Sequence, residues 1–169
     1  DIAAWVDGPG LPADAPVPVS DKFDQVDREI ARWQGGTPAA GLATQGWNTF
    51  QWMHFLRHLP KALTTAQLND LDAAFKFTSS GNAEVLAAWL EQCIRNDHDA
   101  AYSALDRFLS TVGRRKFLVP LYKELIATEK GRVMARTIYA SARSNYHAVA
   151  VRTLDEMLDW SATKPEATF

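Results

Sequence analysis

The stretch Asn82-Ala83-Glu84-Val85-Leu86-Ala87-Ala88-Trp89-Leu90-Glu91-Gln92-Cys93-Ile94 decides the fold class. Val85, Leu86, Trp89, Leu90, Cys93 and Ile94 recur at helical spacing, and together they cover a stripe too wide for a single contact face. A helix apolar over that much of its girth has to be covered from two sides. The domain is therefore expected to be layered, with this helix held between two neighbours.

Working upstream, Thr64 to Gln67 reads as a capping box that opens a helix bearing Leu68, Leu71 and Phe75. Before it, Trp47, Phe50, Phe55 and Leu59 mark another helix that stops at Pro60. The first helix follows a Ser20-Asp21 start, carries Phe23, Val26, Ile30 and Trp33 at spacings of three and four, and ends at Gly35-Gly36. Residues 1–19, with Pro9, Pro12, Pro16 and Pro18 around Trp5, Val6 and Leu11, read as an extended segment entering the domain. The chain starts at Asp1, without a methionine, and so looks like a piece of something longer.

Downstream, Asp97 and Asp99 suit the first turn of a fifth helix with Tyr102, Leu105, Phe108 and Leu109, which Gly113 is expected to close in the left-handed conformation. Pro120, with Leu121, Leu125 and Ile126, is expected to open a sixth helix, which runs from the basic turn to about Glu129. Lys130-Gly131 is expected to break into a seventh with Val133, Ile138 and Tyr139. Asn145 breaks again before an eighth with Val151, Leu154, Leu158 and Trp160, and residues 161–169 read as a frayed tail. No stretch alternates as a strand would. The expected fold is all-α: about eight antiparallel helices over residues 20–160, stacked as an irregular α–α superhelix behind the Pro-rich segment.

Between the fifth and sixth helices stands Gly113-Arg114-Arg115-Lys116-Phe117, three cations at a helix start. Helix N-termini repel cations and attract anions, so free backbone N–H groups, the helix dipole and fixed positive charge together make a receptor for a carboxylate or phosphate. The plainer alternative is a solvated basic turn whose aliphatic stems cover apolar surface.

Composition narrows the function classes. The chain has 169 residues, 47% hydrophobic, 22% charged, with a formal net charge of −2, which suits one globular domain and argues against a dedicated nucleic-acid binder. Its one cysteine, Cys93, reads as a core thiol, so neither a disulfide framework nor a cysteine-based metal site is expected. No run suits a membrane span or a signal peptide, and the cytoplasm is the expected location. His54 and His58 stand four apart, but Phe55 occupies the place where a zinc-peptidase helix needs Glu, so they read as polar-face histidines. Asp155, Glu156 and Asp159 read as surface charge. No catalytic set and no metal site are expected in this chain, and no cofactor of its own.

Three blocks in order, Trp5-Val6-Asp7-Gly8-Pro9-Gly10-Leu11-Pro12, Trp89-Leu90-Glu91-Gln92-Cys93-Ile94, and Gly113-Arg114-Arg115-Lys116-Phe117 followed by Pro120-Leu121-Tyr122-Lys123-Glu124-Leu125, resemble one module. It is the C-terminal helical domain of leukotriene A4 hydrolase-type aminopeptidases of the M1 zinc metallopeptidase family. The resemblance implies a superhelical domain that packs against a thermolysin-like catalytic domain of the same polypeptide and walls one side of its peptide cleft. It implies zinc in that other domain. It also implies that Arg114 and Lys116 bind the terminal carboxylate of a short peptide substrate, with Arg115 at the variable position. The competing expectations are a freestanding helical scaffold for protein partners and, less consistent with the net charge, a nucleic-acid binder.

Overall fold

The computed structural model describes residues 20–160, and these form eight α-helices with short 3₁₀ turns and no strand. The helices are α1 (Lys22–Gln34), α2 (Thr49–His58), α3 (Thr65–Phe75), α4 (Ala83–Arg95), α5 (Tyr102–Thr111), α6 (Arg115–Leu125), α7 (Glu129–Ala142) and α8 (Ala148–Met157). The all-α expectation is met. The extended segment and the frayed tail expected at residues 1–19 and 161–169 lie outside the described residues.

Helices α2, α4, α6 and α8 pack side by side in that order, while α5 and α7 pair alongside them and α1 lies on α2. Helix α4 is buried on most of its surface, including Val85, Trp89, Leu90 and Cys93, because α2 and α6 flank it on opposite sides. Burial also pushes the Cys93 thiol well up, consistent with a core thiol rather than a reactive one. The buried Gln92 side chain donates to the Leu56 carbonyl in the last turn of α2 at 2.7 Å, supplying a partner that the helix itself lacks there. The Trp47, Trp52, Phe55 and Trp89 rings pack among Phe75 and Phe77, with neighbouring centroids about 5–6 Å apart.

Several local expectations are corrected. Gly113 is not left-handed; the positive-φ glycines are Gly36 and Gly46. What a side chain at 113 would meet is the Asn145 carbonyl, 3.2 Å from an added Cβ, so close approach of two chain segments accounts for this glycine. Pro120 lies inside α6 rather than at its start. Asp97 falls in the turn before α5, at φ 49°, where its carboxylate takes hydrogen bonds from Tyr102 and Lys130. Helix α6 stops at Leu125, and Lys130-Gly131 lies within the first turn of α7, behind the Thr128 cap. Phe23, Phe50 and Val133 sit on helical stripes, yet all three are exposed.

Candidate functional site

Side-by-side packing of α2, α4, α6 and α8 brings their N-termini to one rim. Asn82, the cap of α4, donates through Nδ2 to the Thr49 hydroxyl at the start of α2, at 2.8 Å. Lys116 in the first turn of α6 pairs with Glu84 in the first turn of α4. Arg115 Nε donates to the Thr153 hydroxyl of α8 at 3.1 Å. Four parallel helix dipoles thus end on the same face, each presenting partial positive charge.

Three of those starts are closed by their own side chains. Asn48 accepts from the backbone of Phe50 and Gln51, Asn82 from Glu84 and Val85, and His147 from Val149. The cap position of α6 is Arg114, which has donors only and accepts nothing from the backbone behind it. The first-turn N–H groups of α6 therefore receive no side-chain acceptor from their cap, and a guanidinium stands at that position instead. Arg114 is exposed and makes no side-chain hydrogen bond or ion pair among the described residues. It lines an open depression of about 440 Å³ with Gly113, Arg115, Lys116, His147 and Val149.

The two expected site residues are therefore adjacent but unlike in their surroundings. Arg114 has no partner among the described residues, whereas Lys116 is paired with Glu84 and stands 4.6 Å from the centroid of the Phe117 ring. Sequence reading missed two contributors. His147 reaches the depression, and Arg152 lines a second one with Arg115 and Thr153; both are brought there by the packing of α6 on α8, which no local pattern encodes.

Elsewhere, the histidines of α2 stack on each other with centroids 3.8 Å apart. His54 Nε2 is 2.7 Å from Asp27, while His58 Nδ1 faces the His54 carbonyl at 2.8 Å. Among the described residues no three His, Cys, Asp or Glu side chains converge to hold a metal. The His54–His58 pair, engaged with Asp27 and with the His54 carbonyl, lacks among the described residues the third ligand that a zinc ion needs. Asp155 is not simple surface charge: it accepts from the Tyr139 hydroxyl at 2.6 Å and from Arg143 at 2.9 and 2.7 Å. No helix of the described residues is long and apolar enough to cross a membrane.

Comparisons with known proteins agree with this architecture. Over 164 residues the chain is 26% identical to aminopeptidase B of Rattus norvegicus, an overlap covering 91% of this chain and 25% of that protein. It is 30% identical to leucine aminopeptidase 2-1 of Meyerozyma guilliermondii over 115 residues, which is 68% of this chain and 17% of that protein. The fold superposes on native yeast LTA4 hydrolase with a TM-score of 0.74 at 21% identity, covering 95% of this chain and 29% of that one. The chain thus spans about a quarter of the length of its aminopeptidase B relative. The family model described as leukotriene A4 hydrolase, C-terminal, matches residues 47–158, and this chain belongs to that family.

Proposed function

We infer that this chain is the C-terminal domain of an M1-type zinc aminopeptidase, and that its rim walls the peptide cleft and binds the terminal carboxylate of a short peptide. The observation that carries the reading is the start of α6, where an unpartnered Arg114 guanidinium stands over the only one of the four rim helices without a side-chain cap among the described residues. A carboxylate there accepts from a two-pronged cation and from backbone N–H groups at once. Lys116, two residues on, adds a second positive charge, itself paired with Glu84.

The same rim carries Phe50, 71% exposed, and Val149, 59% exposed, in the first turns of α2 and α8. Large apolar groups left in water at helix starts suit coverage by another domain. Zinc, the nucleophilic water and the general base belong to that other domain; the part played by this one is to hold the far end of the substrate.

The test is made on the full-length enzyme with a tripeptide and the same tripeptide amidated at its C-terminus. A charge-assisted contact of this kind contributes about 1.5–3 kcal/mol, so Arg114→Ala is expected to lower kcat/KM for the acid by roughly ten- to a hundredfold. Lys116→Ala should do less, and Arg115→Ala, whose side chain is tied to Thr153, should do little. On the amide, wild type and Arg114→Ala should be nearly equal. Equal losses on acid and amide would make Arg114 a structural residue and end the carboxylate reading.

A further inference from the structure

Lys116 stands between two recesses. One is the rim depression it shares with Arg114 and His147. The other, of about 150 Å³, is lined by Arg57, Glu84, Glu91, Phe117 and Pro120 as well as Lys116 itself. Within this setting the Lys116 ammonium already has a carboxylate partner, Glu84. Glu84 sits in the first turn of α4, where the helix dipole favours negative charge.

We propose that Glu84 is a resident carboxylate that determines the charge selectivity of the Arg114–Lys116 receptor. The proposal rests on the carboxylate-binding reading above. With Glu84 in place, the three side chains carry one net positive charge rather than two, and an incoming carboxylate finds Arg114 open and Lys116 occupied. The side chains of the Lys116–Glu84 pair are 53% and 34% exposed, so solvent screens their attraction. A screened pair of this kind is weak enough for a substrate carboxylate to share or displace. Glu84 therefore acts through Lys116 as a positioning residue: it holds the ammonium toward α4 until a stronger anion arrives, and it lessens the penalty paid by substrates that lack a free terminal carboxylate.

The measurement is the ratio of kcat/KM for the tripeptide acid to kcat/KM for its amide, on the full-length enzyme. Glu84→Gln keeps the size and hydrogen-bonding reach of the side chain while removing its charge, and is expected to raise the ratio by about two- to fivefold, chiefly through KM for the acid. In a Lys116→Met background the same substitution should leave the ratio unchanged, since the group through which Glu84 acts is gone. An unmoved ratio in the Lys116-containing enzyme overturns the proposal. So does an equal change with and without Lys116, or an equal loss on acid and amide with a lowered Tm. Arg114→Ala separates the two levels of the argument. If it lowers the ratio while Glu84→Gln leaves it fixed, only the role of Glu84 fails; if it leaves the ratio fixed, the carboxylate reading fails as well and takes the proposal with it.

Discussion

Tyr146 precedes the cap of α8, and its hydroxyl lies at the centre of a buried chain of donors that can be dissected atom by atom. Its one proton goes to the Leu109 carbonyl at 2.6 Å. The hydrogen bond of 3.0 Å between Tyr122 and Tyr146 must therefore run from Tyr122 as donor. Burial pushes both hydroxyls up, so both keep their protons at neutral pH. Leu109 lies in the last turn of α5, where carbonyls lack intrahelical partners. Tyr146→Phe leaves that carbonyl and the Tyr122 hydroxyl both buried and unpaired, at about 1–3 kcal/mol for each orphan, for a total of about 2–6 kcal/mol. Tyr122→Phe removes a donor and strands nothing but a lone pair, costing about 0.5–1.5 kcal/mol. The double variant should cost no more than Tyr146→Phe alone, because the stranded Tyr122 hydroxyl is then absent. At roughly 2–4 °C per kcal/mol for a domain of this size, Tyr146→Phe lowers Tm by roughly 4–24 °C and Tyr122→Phe by roughly 1–6 °C. Thermal and urea unfolding of the three variants decides the matter. If Tyr122→Phe is as harmful as Tyr146→Phe, or if the two costs simply add, the assigned direction of the chain is wrong.

Two further expectations concern backbone and charge. Gly131→Ala, a change that usually stabilises a helix, should instead destabilise by about 1–3 kcal/mol, since an added Cβ would meet the Leu125 carbonyl oxygen at 2.1 Å. Gly81→Ala, with open space around it, is the matched control and should be neutral or stabilising in the same unfolding assay; similar behaviour of the two would sink the argument. The Asp155 carboxyl is held below the usual carboxylate range, first by its hydrogen bonds from the Arg143 guanidinium and further by that from Tyr139. A folded-state value below the unfolded one means that its contribution is present above about pH 4 and is lost as pH falls through the folded value. Stability measured from pH 6 to pH 2.5 should therefore fall less steeply for Asp155→Asn than for the unaltered protein, and parallel curves would refute the linkage.

What could be read from the sequence follows the range of the interactions involved. The capping box from Thr64 to Gln67 and the wide stripe of α4 were legible because each is settled within one or two helical turns. Gly113 was misread because its reason for being glycine lies 32 residues away, at the Asn145 carbonyl. Phe50 was misread because periodicity identifies a stripe but not whether a neighbour covers it. The basic turn itself was legible as a broken electrostatic rule. Its real surroundings were not: the Glu84 partner of Lys116 and the nearness of His147 depend on α6 packing between α4 and α8.

Helix α6 divides its residues sharply between surface and interior. Residues 114–116 face the rim, and Phe117, Leu118, Leu121, Tyr122 and Leu125 are buried. The same split recurs at the starts of α2, α4 and α8, so substitutions at those four addresses alter what the surface presents while leaving the interior packing alone. What the surface presents and what holds the fold together are thus written at separate sequence positions.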